Sequence, residues 1–431
     1  MHIYYYFVFL FGASMEPLNI NIDDKYINKL NKKHQEMRQY IENNFGNKQP
    51  LPSGGAYNKL FEIGNDIVIR QVDRKKWFEN GIEAKNGTFN SIFVPSLLKE
   101  CGEDTITTGH LKLNNEEMLY MEKAEGSLWE KFTTCHTSIT ADDVISKLNG
   151  GEMTDDEIQT TLLTMILECF TTANFTDIYS RRFNMARVNS CNPDVLTKFL
   201  SKDNMKVIAR HLCKVFLFQM FDRKPENLLV KNGEDGKKKF IETDFDDIKE
   251  ITCLFADIDQ DANSGMNVGM WSGCLNAIYK MYDVFYSKCL LNTGKQPEWD
   301  NILSTTIKEY TITKERMINI ISDIAVKNEY FGLSEEELIK GINEKLTIWK
   351  NMLTTAMQND DNVWLVKFKD AMQETLTGLQ EFNEDKIKGI VNQAREKQSQ
   401  ALSFKNNDNT PPNCHLQDYI PNWMKTCCGL C

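Results

Sequence analysis

The sequence predicts an α+β fold in two lobes, a small β-rich one followed by a larger helical one. Three observations carry that expectation. Residues 50 to 126 fall into short β-like segments punctuated by Gly and Asn, and the chain beyond Gly126 turns to helical periodicity. Its 431 residues are also enough to bury a sizeable core. Hydrophobic residues at 41% and charged residues at 26% are ordinary proportions for a soluble globular chain.

The elements follow in order. The first residues, Ile3 to Phe11, are almost wholly apolar, but no Lys or Arg precedes them and the run is too short to span a bilayer. Met15 offers an equally good start. Leu60 to Ile63, a turn at Gly64-Asn65, and Ile67 to Arg70 read as a tight hairpin. Phe93 to Leu98 and Met118 to Met121 are further strand candidates, with a helix expected around Lys75 to Lys85. Thr154-Asp155-Asp156-Glu157 is a capping-box pattern, followed by Ile158, Leu162, Met165 and Cys169 at helical spacing. Val207 to Met220 is an apolar helix, or a helix running into a strand. A strand pair is expected at Asn227 to Val230 and Lys239 to Thr243, across the polar turn from Asn232 to Gly236. From Trp271 onward only helices are expected, including one capped by Ser334 with a stripe of Leu338, Ile342, Leu346, Trp349 and Met352. Ser403 to Asn413, with Pro411-Pro412, reads as a linker to a short tail, and no internal repeat is found.

Charge and cysteine usage narrow the function classes. A net charge of -11 argues against a nucleic-acid partner, because phosphate backbones need a basic surface. It does not argue against a nucleotide, whose phosphates are managed by a local metal. Eight of the twelve cysteines are scattered singly from Cys101 to Cys289, which suits reduced core thiols and an intracellular compartment. Cys414, His415, Cys427, Cys428 and Cys431 crowd the end. Zinc ligation, or lipidation with membrane contact through this tail, is compatible with that cluster; unmodified thiols are the simpler reading.

The most informative stretch runs from Phe221 to Val230, followed by Ile241-Glu242-Thr243-Asp244-Phe245-Asp246. It sets out Asp222, Lys224 two residues on, Asn227 five residues on, and a further acid, Asp244, at the end of an apolar strand. Phosphoryl transfer needs such parts: a carboxylate to orient the nucleophile, a cation for the transferring phosphate, and oxygen ligands for magnesium.

This run resembles the D-x-K-P-x-N catalytic loop and D-F-G strand of protein kinases. The resemblance implies an α+β, bilobal protein-kinase-like fold with a small β-rich N-lobe, a helical C-lobe and a helical C-terminal extension. It implies Asp222 as catalytic base, Lys224 as phosphate contact, and Asn227 and Asp244 as ligands for Mg or Mn. Met118 to Leu128 looks like the fifth strand and hinge, with Met121 as gatekeeper and Glu122 to Ala124 offering backbone groups to the adenine of ATP. Ser53 to Leu60 resembles a Gly-rich loop that keeps Gly55 and has Asn58 in place of its last glycine. Glu83, with Glu79 as second choice, is the helical carboxylate expected to pair with the third strand.

Departures from the family are equally specific. Arg70 replaces the third-strand Lys, Met220-Phe221 stands where His-Arg precedes the catalytic Asp, and Asp246 replaces the Gly of D-F-G. No A-P-E is found, and Gly269 stands where an anchoring Asp is expected in Val268 to Met281. The resemblance covers residues 50 to 290, about half the chain. It implies segments at 1–49, an N-lobe at 50–126, a C-lobe at 127–300, a helical extension at 301–402 and a Cys-rich tail at 403–431. The expected activity is that of an atypical serine/threonine protein kinase with a protein substrate. Asp222-Arg223 with Asn227 also resembles the D-R-x-x-x-N loop of phosphoinositide kinases, so a lipid or small-molecule acceptor, or AMP or glutamyl transfer, stays open. A non-catalytic scaffold is the third alternative, and a scaffold has no chemical need for the whole set. In style, a divergent kinase rich in Asn, Lys and Ile is similar to bacterial effectors that act on a host-cell target.

Overall fold

The computed structural model describes residues 20, 22–51, 59–64, 66–71, 83–114, 116–136, 138, 140–170, 188, 190–218, 220, 225–232, 238–243, 278–357 and 363–407. Helix α1 spans Asp24–Asn44 and is followed by strands β1 (Gln49–Pro50), β2 (Lys59–Ile63) and β3 (Ile67–Gln71). Helix α2 (Glu83–Glu100) then leads to β4 (Thr108–Leu113) and β5 (Glu116–Glu122). The five strands form one antiparallel sheet in the order β1-β2-β3-β5-β4, with α2 inserted between β3 and β4. The β2–β3 hairpin pairs Ile63 with Ile67 across Gly64, as the turn residues require.

Strand alternation decides which face meets what. Ile67 and Ile69 of β3 and Met118 and Tyr120 of β5 turn to one face, where Met37 and Ile41 of α1 cover them. Leu119 turns to the other face and joins the main core with Phe89, Ile92, Phe93 and Leu97 of α2. Residues 24–44 carried no structural expectation, although Ile27, Leu30, His34, Met37 and Ile41 recur at helical spacing on one stripe.

Two expectations are corrected here, and a third lies mostly outside the described residues. Phe93 to Leu98 is the C-terminal half of α2 and not a strand. A short apolar run is ambiguous by periodicity, and this one is buried because α2 lies between the sheet and the C-terminal helices. The chain from Ser403 to Asn407 still belongs to the last helix, so the linker does not begin at Ser403. The helix expected at Lys75 to Lys85 falls mostly outside the described residues; the described helix begins at Glu83.

The helical part opens with α3 (Leu128–Cys135), α4 (Ala141–Gly150), α5 (Asp155–Cys169), α6 (Pro193–Phe199) and α7 (Lys202–Phe218). The Thr154 and Glu157 side chains form the capping box expected at the start of α5. A short antiparallel pair follows, β6 (Leu228–Asn232) and β7 (Lys238–Glu242), joined in the register Leu228 to Glu242. Then come α8 (Gln296–Tyr310), α9 (Lys314–Lys327), α10 (Glu335–Met357), α11 (Val363–Gln380) and α12 (Glu384–Asn407). The stripe expected on α10 is buried, and Ser334 caps it through Glu337. Helices α9 and α10 pack on α2, and α12 packs on α1 and α9, so the C-terminal helices touch both helices of the sheet-bearing part. No helix among the described residues is long and apolar enough to cross a membrane. Five of the six described cysteines are buried thiols.

His34 joins these layers. Its ring stacks on Tyr330 at 3.7 Å, and its Nδ1 lies 2.7 Å from the Tyr120 hydroxyl of β5. Gly109 of β4 makes room for that tyrosine, because a Cβ there would run into the phenol ring. Burial, then the nearby Arg38 and Lys327 charges, push the imidazole down to about 3. The unfolded chain takes up this proton near pH 6.5 while the folded chain does not, so stability falls with acidity between about pH 6.5 and pH 3. Denaturant titrations should show a loss approaching about 1.4 kcal/mol per pH unit in that window, reduced in His34→Gln.

Candidate active site

The strap that leaves β5 is one of the places where the sheet-bearing and helical parts meet. Glu122 binds the Thr107 N–H through its side chain at 2.9 Å and pairs with Lys33 of α1 at 2.6 Å. Burial alone would raise its carboxyl, but Lys33 and the Thr107 N–H outweigh that and hold it below the ordinary value. The Glu122 N–H donates to the Thr107 carbonyl at 3.2 Å, and the Lys123 N–H to the Asp66 carbonyl at 2.7 Å. Ala124 makes no backbone hydrogen bond to another described residue outside strand ladders.

The strap then docks on the helical lobe. The Glu125 N–H donates to the Val230 carbonyl at 3.1 Å, and the Val230 N–H returns to the Gly126 carbonyl at 2.9 Å. Gly126 takes φ 128°, a conformation that glycine alone adopts readily, and a side chain there would crowd the Glu130 carboxylate. Ser127 and Glu130 then form the capping box that starts α3. The exit from β5 is thereby stitched to β6, the strand that follows Asn227.

Asn227 ends the short 3₁₀ turn Pro225–Asn227 and is 6% exposed. Its carbonyl accepts from the Thr243 N–H at 2.9 Å and from the Thr243 hydroxyl at 3.1 Å. The hairpin register therefore sets Asn227 beside the residue that immediately precedes Asp244. Arg70 and Met121 stand on the sheet face that carries Leu119, opposite to the face covered by α1. Arg70 is half-buried there and lies across from Leu119, while Met121 lies across from Val68. Asp222, Lys224, Gly55 and Asp244 lie outside the described residues, and Glu83 is described only as the first residue of α2. Among the described residues no cluster of acids, histidines and cysteines forms a metal site. The oxygen donors that the sequence offers, an amide at Asn227 and a carboxylate at Asp244, are of the hard type that Mg²⁺ and Mn²⁺ prefer.

One group next to this site was not anticipated. Lys214 of α7 is buried between two carboxylates, 2.6 Å from Glu242 at the end of β7 and 3.1 Å from Glu103 after α2. Tyr310 at the end of α8 donates its hydroxyl to Glu103. Burial alone would lower the lysine, but the two carboxylates more than offset it and hold the ammonium above the ordinary lysine value. Four elements that are remote in sequence are tied together two residues before Asp244.

No family model matches the chain, and no curated protein matches it. Among solved structures, one described as the ternary complex of streptomycin, ATP and APH(2")-IIa is similar over 72% of this chain and 95% of its own. The identity is 13% and the TM-score 0.21, a likeness too slight to carry an assignment.

Proposed function

We propose that the chain is an ATP-dependent phosphotransferase acting on serine or threonine hydroxyls of a protein. The observation that carries this reading is the pair of hydrogen bonds from Thr243 to Asn227. They join the turn that follows Asp222 and Lys224 in sequence to the residue just past β7 that precedes Asp244, at the foot of the strap from β5. A contact between these two segments, which lie apart in sequence, supports the reading, because a phosphoryl-transfer centre draws residues from both.

In this reading Asp222 accepts the proton of the acceptor hydroxyl and aims its oxygen at the γ-phosphorus. The new O–P bond forms as the bridging bond to the β-phosphate breaks, ADP leaves, and Lys224 offsets charge on the transferred group. Asn227 and Asp244 would hold a Mg²⁺ or Mn²⁺ ion, which neutralises phosphate charge when bound. Arg70 faces the α- and β-phosphates with Glu83 as its partner from the start of α2. Adenine sits against Met121 and meets the backbone groups of the strap from Glu122 to Ala124. Phe221 occupies the place of the arginine that reads a phosphorylated loop in the family, so turnover should not depend on activation-loop phosphorylation.

The test is incubation with γ-labelled or α-labelled ATP and Mg or Mn, against protein and lipid mixtures. Label from the γ position alone on serine or threonine is the expected result. Retained α label would mean nucleotidyl transfer, label on lipid would move the acceptor class, and neither transfer nor ATP binding would leave a scaffold.

A further inference from the structure

A cavity of about 300 Å³ opens between α1, α2, the segment that leads into β4, and the end of α9. That volume lies at the lower end of the range for small-molecule pockets. Four lysines line it: Lys29 and Lys33 of α1, Lys99 of α2 and Lys327 of α9. Thr105, Thr107 and Thr108 also line it, and threonine hydroxyls can donate to an oxyanion. Asn227 and Thr243 are not among its walls, so it is separate from the candidate active site.

The four ammoniums are only partly matched. Lys33 pairs with Glu122 at 2.6 Å, while Lys99 and Lys327 share one carboxylate, Asp323, at 2.7 Å and 2.8 Å. Lys29 is exposed and has no charged partner among the described residues. The two acids on the wall have lysines of their own: Glu103 pairs with Lys214 at 3.1 Å, and Asp104 with Lys239 at 3.2 Å. The four lining lysines therefore carry two positive charges more than the two carboxylates they pair with. This local excess stands in a chain whose net charge is -11.

Two groups respond to that excess. Burial holds Lys99 below the ordinary lysine value, Lys327 adds to the effect, and the shared Asp323 does not offset the two. His34, on the same wall, is lowered by burial first and then by Arg38, Lys327 and Lys33, with Glu122 opposing them. A phosphate monoester carries a charge of about -1.5 to -2 at neutral pH and accepts from ammonium and hydroxyl donors, which matches the excess in sign and size.

We propose that this cavity binds a small molecule carrying a phosphate monoester, held by Lys29, Lys33, Lys99 and Lys327. The site stands whether or not the chain transfers phosphate.

Calorimetric titration of the full chain with glucose 6-phosphate, at neutral pH and about 0.15 M salt, tests this. Glucose is the control, and vesicles of phosphatidylcholine with and without phosphatidic acid present the same group on a lipid. Wild type should bind glucose 6-phosphate saturably, with Kd below about 1 mM, and should not bind glucose. Lys29 and Lys33 are the residues to change, because Lys99 and Lys327 neutralise the buried Asp323. The double variant Lys29→Gln, Lys33→Gln should bind at least about tenfold more weakly, and Asp244→Ala within about twofold of wild type. Binding of phosphatidic acid vesicles alone, lost in the same double variant, would keep the phosphate site and make a lipid headgroup its source. No saturable binding of either, equal binding of glucose, unchanged affinity in the double variant, or an equal loss in Asp244→Ala would overturn the proposal. Should the double variant not fold, Lys29→Gln alone is measured: weakening of at least about threefold supports the site, and unchanged affinity overturns it.

Discussion

Asp222→Ala should remove turnover almost completely while leaving ATP affinity nearly unchanged. A carboxylate that accepts the acceptor's proton and orients its oxygen contributes about 10²- to 10⁴-fold to rate. It has no part in holding nucleotide, because the proposed nucleotide contacts come from the strap after β5, from Arg70 and from the Asn227–Asp244 pair. Single-turnover transfer and calorimetric ATP binding on the same preparation separate the two effects. A variant that loses both in parallel would mean that Asp222 supports the nucleotide site or the fold, and the assignment of Asp222 as base would fall.

Lys214→Met should be among the most destabilising single substitutions in the described part of the chain. The ammonium is 5% exposed and stands between Glu103 and Glu242, whose side chains are 4% and 3% exposed. Removing it leaves two carboxylates facing each other away from water, a cost of about 3 to 5 kcal/mol. Equilibrium unfolding in urea measures that loss. Combining the change with Glu103→Gln and Glu242→Gln removes the stranded charges and should recover most of it, since the Tyr310 hydroxyl still finds an amide oxygen. A single variant as stable as wild type would show that the buried charges are not coupled as their geometry indicates.

The legible parts of this chain are those in which chemistry is local in sequence. The Ser334 cap with its apolar stripe, the Thr154 capping box and the Gly64 hairpin could each be read from fewer than twenty residues, and each is present. Phe93 to Leu98 was misread because an apolar run carries no period of its own, and only its position between the sheet and α9 and α10 makes it a helix face. Helix α1 was legible in the spacing of Ile27, Leu30, His34, Met37 and Ile41, although nothing in that spacing says that it covers a sheet. The proposed catalytic motif stands out because Asp222, Lys224 and Asn227 are near neighbours in the chain. Lys214 and Glu103 are 111 residues apart, so that pair could not be singled out from spacing.

The central claim is a metal-assisted ATP site built on Asn227 and Asp244, and calorimetric titration of ATP with and without magnesium tests it most directly. Wild type should bind ATP tightly only when the metal is present, and Asp244→Ala should lose the metal-dependent part because a carboxylate that would hold the metal is gone. Undiminished magnesium-dependent binding in Asp244→Ala, or wild-type binding indifferent to the metal, would contradict the account.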